Sequence, residues 1–213
     1  MIAFVSLTFA QKDQAHIIFD IKMESNEPEI QAQLGMLAGS TLELMFKGDQ
    51  SRQAMAMGSM MNQVTIQDRE SGEGLLLISG MMGKYAARMD TKKDEEKEEV
   101  ESDTEVELVD ETKEILGYTC HKAIIIDEDG NESVFWYTKE LVRPETESQY
   151  FRNEIPGMPL EFSVVTPQMT MVFTAKEVNT KIKGAKKKFS MDIPEGYTET
   201  PIDQLQSLLG GGQ

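Results

Sequence analysis

Apolar residues recur at every second position over much of the chain, the period of a β-strand with one packed and one wetter face. From Ala15 to Met23, Ala15, Ile17, Phe19, Ile21 and Met23 fall on one side, with Asp20 and Lys22 on the other. Leu42, Leu44 and Phe46 alternate with Thr41, Glu43 and Lys47, and Val64 and Ile66 with Thr65 and Gln67. Met169, Met171, Phe173 and Ala175 alternate with Thr170, Thr174 and Lys176, although Val172 interrupts. A hairpin is predicted from Tyr118–Ile126 and Glu132–Thr138, because the intervening Asp127-Glu128-Asp129-Gly130-Asn131 tolerates positive φ. Its Asp127-x-Asp129-Gly130 lacks the further carboxylates and closing Glu of a calcium loop, so it reads as a turn.

Helical periodicity is confined to short pieces. Ile30, Leu34 and Leu37 are spaced for a helix over Pro28–Ala38, with Asn26 and Glu27 as cap and first-turn acid. Pro144–Arg152 and Asp203–Leu209 are shorter candidates, the last followed by a Gly-rich tail. The pattern predicts a mainly β (α+β) chain, with one β-rich domain over residues 11–200 and a short helix and tail over 201–213. No internal repeat is evident.

The first ten residues, MIAFVSLTFA, form an apolar run closing on Thr8-x-Ala10, with polar Gln11-Lys12-Asp13 immediately after. That is the end of a secretory signal peptide in pattern, with cleavage expected after Ala10, although a basic leading segment is missing. The alternative is a core strand through Ile2, Phe4 and Val5. No apolar run reaches the roughly 18 residues of a membrane span.

Charge sharpens this picture. With 21 Lys+Arg against 37 Asp+Glu, the net charge is −16, which argues against unaided nucleic-acid binding. Asp94–Glu111 alone holds 11 acidic residues and one Lys. A solvated acidic loop is expected over about 92–106, and Val106 and Leu108 can start a strand leading to Ile115.

Catalytic signatures are sparse. Neither G-x-x-x-x-G-K-[ST], G-x-G-x-x-G nor G-x-S-x-G occurs. One Cys allows neither an intramolecular disulfide nor a Cys-based zinc knot. Cys120-His121 pairs a nucleophile with a base, but neighbouring strand residues point to opposite faces, so Cys120 reads as a buried small hydrophobe. No catalytic residue, cofactor or resident metal is assigned. Methionine is the anomaly. There are 15, eight of them from Met45 to Met89: Met45, Met55, Met57, Met60, Met61, Met81, Met82 and Met89. They can be core filler, an adaptable apolar cavity, or a Cu(I) site built on Met55-x-Met57-x-x-Met60-Met61.

Glu114-Ile115-Leu116-Gly117-Tyr118-Thr119-Cys120-His121-Lys122-Ala123, followed by Phe135-Trp136-Tyr137-Thr138, resembles the GLPGLI family of exported bacterial proteins and its relatives. Ile155-Pro156-Gly157-Met158-Pro159-Leu160-Glu161-Phe162 is similar to the stretch that names the family, departing at Met158 and Pro159 as a sister family would. Phe189-Ser190-Met191-Asp192-Ile193-Pro194-Glu195-Gly196-Tyr197 is similar to its closing strand. The resemblance implies a fold like that of the periplasmic lipoprotein carriers (LolA-like): a curved antiparallel sheet or incomplete β-barrel covered by a few short helices. In that fold Tyr118 and Trp136 are expected to pack across strands.

It also implies an apolar cavity on the concave face, for which the alternating pattern offers Phe19, Ile21, Leu44, Phe46, Met55, Met57, Trp136, Phe162, Met171 and Phe173. The expected function is non-enzymatic binding in the periplasm or cell envelope. Its partners would be a lipid or acylated protein, with peripheral contact to membrane lipoproteins. The alternative is a structural or interaction module whose concave face is simply packed.

Overall fold

The computed structural model describes residues 13–94, 105–142 and 154–208. The proposed leader, most of the acidic loop, the Pro144–Arg152 helix and the Gly-rich tail lie outside the described residues. Among the described residues one 12-stranded open sheet dominates. Its strands are β1 (Gln14–Glu24), β2 (Thr41–Lys47), β3 (Gln50–Met57), β4 (Met61–Asp68), β5 (Glu73–Gly80) and β6 (Gly83–Asp90). There follow β7 (Glu105–Ile115), β8 (Tyr118–Ile126), β9 (Glu132–Thr138), β10 (Met158–Val165), β11 (Thr170–Asn179) and the two-residue β12 (Thr198–Glu199). The spatial order is β12-β6-β5-β4-β3-β2-β1-β11-β10-β9-β8-β7. Two antiparallel meanders, β1–β6 and β7–β11, are thus joined by the antiparallel pairing of β1 with β11. Only β12 runs parallel to its neighbour, β6. The architecture is a mostly β, open, curved sheet with few short helices.

Register carries one face through the whole sheet. Phe135 pairs with Phe162, Phe162 with Phe173, and Phe173 with Ile21. On the other side of β1, Phe19 pairs with Leu42 and Leu42 with Met55, and Met57 lies two residues on. This shared face buries Ala15, Ile17, Phe19, Ile21, Leu42, Leu44, Phe46, Phe162 and Phe173 in one core cluster. The Phe162 ring is the hub: its centroid lies 4.5 Å from Phe173 and 5.5 Å from Phe135, both stacked, and 5.7 Å from Phe19 edge-on. Such ring pairs add roughly 0.5–1.5 kcal/mol each beyond area burial.

The opposite face carries the polar partners. Trp136, one residue from Phe135, pairs with Lys122 and Glu161 rather than with Tyr118, which pairs with Ile115. The expected Tyr118–Trp136 cross-strand pair is therefore not formed, because the β8–β9 register sets Trp136 four residues along from Tyr118. Lys113 and Lys122 instead lie over the indole, with ammonium nitrogens 4.3 Å and 5.7 Å from the ring centroid. Lys113 donates to Glu161 at 2.7 Å and Lys122 to Glu111 at 2.8 Å.

Local chemistry explains the turns. Asp127 accepts from the backbone N–H of Asp129 and of Asn131, an Asx turn. Leu116 and Gly117 form a two-residue hairpin loop at φ +52° and +81°, a conformation that suits Gly but strains Leu. β5 escapes the alternation rule. Its Leu75 and Leu77 join one cluster with Met191, Ile193 and Tyr197, while Leu76 and Ile78 join another with Leu205 and Ile202. Covered on both faces, it reads as a continuous apolar run.

Among the described residues the helices are α1 (Pro28–Leu34), α2 (Thr91–Asp94), α3 (Ala185–Lys188) and α4 (Ile202–Leu208). A 3-10 turn, Gly35–Leu37, completes the element that begins with α1. Glu27 is its N-cap residue but makes no side-chain cap bond. Among the described residues β7 stands at one edge of the sheet, and its Glu105, Glu107, Asp110, Glu111 and Glu114 discourage edge-to-edge association.

Candidate functional site

A cavity of about 470 Å³ opens where β3–β6 reach one end of the sheet. Three turns meet there. The β3–β4 turn follows Met57, with the Met60 N–H donating to the Met57 carbonyl at 3.1 Å. Met81 and Met82 cross from β5 to β6, and the Met81 N–H donates to the Met60 carbonyl at 3.3 Å. The 3-10 turn supplies Leu37. Glycines let these turns touch: a Cβ on Gly58 would stand 2.3 Å from the Met36 carbonyl oxygen, and one on Gly80 at 2.3 Å from that of Met60. Buried Ser40 ties the assembly together. Its hydroxyl donates to the Leu37 carbonyl at 2.6 Å and accepts from the Gly58 N–H at 3.0 Å, while its carbonyl accepts from the Ile21 N–H.

Five methionines, Met57, Met60, Met61, Met81 and Met82, line the space. Leu37, Ile78 and Leu205 of α4 supply the aliphatic remainder, and among the described residues Tyr85 is the polar side chain of the lining. The volume suits a small apolar ligand, and unbranched thioethers re-pack around varied shapes.

The residues proposed from sequence are distributed unevenly around this space. Met57 lines it. Phe19, Ile21, Leu44, Phe46, Phe162 and Phe173 are buried in the aromatic core, and Met55 and Met171 pack against that core. Trp136 belongs to the same buried cluster, but its register with Lys122 and Glu161 turns it to the other side of the sheet, under two lysines. Alternation assigns residues to a face but does not reveal where along that face space remains. Met81 and Met82, bracketed by Gly80 and Gly83, were the overlooked signal: two large apolar residues alone in a tight hairpin loop. The Met55-to-Met61 motif is divided, with Met55 in the core and the other three at the cavity. Among the described residues no group of three or more His, Cys, Asp or Glu is arranged to hold a metal ion.

Titratable chemistry lies elsewhere. Burial pushes the Cys120 thiol up to about 11, so the thiolate is scarce at neutral pH. His121 leans on the Tyr137 ring, 5.7 Å between centroids. Burial alone would raise Glu43. The hydrogen bond and charge of Arg52, with His16 beside it, reverse that and hold the carboxyl below its usual range. Both partners donate to Glu43 at 2.7 Å.

A family model described as a domain of unknown function, DUF4412, matches residues 20–151. The chain belongs to that family. The match includes β2–β9 and all five cavity methionines, but not α4. No curated protein matches this sequence. Among solved structures, two of PNGF-II superpose at TM-scores of 0.50 and 0.51, with 15% and 13% identity. They cover 92% and 93% of this chain but 32% and 33% of those chains, so the chain spans about a third of their length. A LolA superfamily protein, NE2245 from Nitrosomonas europaea, aligns over 84% of this DUF4412 chain and 91% of its own at 9% identity. Its TM-score of 0.24 is too low to carry an argument. These likenesses concern the fold alone.

Proposed function

We propose that this DUF4412 protein is a non-enzymatic carrier, acting in the periplasm or cell envelope, that shelters an acyl chain of a lipid or acylated protein in its methionine-lined cavity. The observation that carries the reading is the cavity itself: about 470 Å³ lined by thioethers and aliphatic side chains. Transfer of a methylene from water releases about 0.8 kcal/mol, so a dozen would release about 10 kcal/mol gross. Ordering costs consume much of this and leave micromolar affinity within reach. The leader-like pattern of Met1–Ala10 and the resemblance to the exported GLPGLI family support the envelope address.

The test is native mass spectrometry of gently purified protein, followed by titration with a fluorescent fatty acid. Co-purified lipid or saturable micromolar binding is expected, weakened about tenfold or more by Met57→Asp with the fold retained. Absence of both lipid and probe binding overturns the reading in favour of a structural module. Tight Cu(I) retention abolished by Met57→Ala and Met60→Ala would instead make the thioethers a soft-metal site.

A further inference from the structure

The two ends of the β2–β6 meander differ in charge. At one end the turns read Lys47-Gly48-Asp49 and Asp68-Arg69-Glu70-Ser71-Gly72-Glu73. At the other, the converging segments are residues 35–40, 57–62 and 79–83, and none contains Asp, Glu, Lys or Arg. In a chain that is 27% charged, that is a large exception. The uncharged end also presents thioethers to water: Met81 is 85% exposed, Met82 61%, Met36 59% and Met60 40%. These four sit on three turns held in contact by the Gly58 and Gly80 approaches, so they form one apolar tip. Met60, Met81 and Met82 also line the cavity.

We propose that this tip docks onto a zwitterionic lipid surface, with the cavity mouth facing the bilayer. The inference rests on the carrier reading above and names the surface with which that site exchanges its ligand. Long apolar side chains on adjacent loops gain by entering the headgroup–acyl boundary, and a tip without charge has none to desolvate. The charge pattern also selects the lipid. Glu27 and Glu29 beside the tip, and Asp127, Glu128 and Asp129 farther along the same end, would be repelled by an anionic surface. A neutral headgroup leaves the apolar contact unopposed. Exposed Lys84, just behind Gly83, turns its ammonium away toward the Tyr197 ring, 6.0 Å from the centroid, and leaves the tip uncharged.

The experiment is flotation of the full chain with phosphatidylcholine–phosphatidylethanolamine vesicles, with and without added phosphatidylglycerol, and without fatty-acid probe. Partition onto the neutral vesicles is expected, lowered about tenfold or more by Met36→Asp and again by Met81→Asp. Both side chains are mostly exposed, so the urea midpoint should not move. Partition untouched by these substitutions overturns the proposal. So does binding confined to anionic vesicles and abolished by salt. A concentration-dependent dimer in sedimentation, dissociated by Met36→Asp, would assign the tip to a second copy of the chain and overturn it as well. The cavity reading fails separately: it falls if the probe is not taken up, whereas vesicle partition is measured without probe and falls only with the exposed tip residues Met36 and Met81.

Discussion

Phe19, Phe135, Phe162 and Phe173 lie on the same continuous face of the sheet as Met57 and its neighbours, yet the phenylalanines fill their space and the methionines surround a cavity. The difference lies in position and in side-chain type. The rings stand within β1, β9, β10 and β11, where paired neighbours on both sides hold them in a stack. The methionines stand at strand ends and in turns, where Leu37 and Leu205 approach without closing the space. Rigid rings tile, while flexible thioethers conform to what is put between them. An apolar face is therefore not by itself a binding face.

The contrast can be broken most forcefully at the ring hub. Phe162→Ala should cost about 3–5 kcal/mol in urea unfolding, because the stacked rings cannot collapse into the void. Probe affinity per folded molecule should stay the same; a matching loss of affinity would mean the two regions are one. Gly80→Ala is the complementary change. Its Cβ meets the Met60 carbonyl oxygen, so about 1–3 kcal/mol of stability should go, and probe uptake should fall with it as the turns part. Uptake unaffected by this substitution would mean that the turn contact does not shape the mouth.

Between the regions, the His16–Glu43–Arg52 cluster spans β1, β2 and β3 on the opposite face. Glu43 is held below the usual carboxylate value of 4.5, so its contribution is complete above that pH and is lost as pH falls through the lower folded value. Glu43→Gln should cost on the order of 1 kcal/mol at pH 7, with the gap to the parent narrowing as the pH falls below 4.5. A gap independent of pH would point to packing instead of charge. The smallest effect is expected far from both regions. Leu116→Asn should stabilise by about 0.5–1 kcal/mol in thermal or urea unfolding by relieving the φ of +52°, and leave probe binding alone.

Much of the fold was legible. The β8–β9 hairpin falls at Tyr118–Ile126 and Glu132–Thr138, as its turn residues indicate, and β1, β2 and β11 follow their alternation. β3 was not, since Gln50-Ser51-Arg52-Gln53 presents no apolar stripe, and Gln50, Ser51 and Gln53 pair with polar Asp68, Gln67 and Thr65 of β4. β5 was missed for the opposite reason, being apolar on both faces. Trp136 was offered for the cavity face, but Phe135 and Tyr137 beside it are equally apolar, and only the pairing with Lys122 and Glu161 decides its face.

By itself the sequence determined which residues can share a face, where Gly-containing turns reverse the chain, and that methionine is concentrated between Met45 and Met89. These are local properties, set by the two-residue period of a strand and by the φ that glycine permits. The tertiary structure alone decided that Phe162 is a hub, that Met55 parts company with Met57, and that turns from three places meet around a cavity. Space between elements is a property of how the sheet bends and of what covers it, and no single segment encodes it.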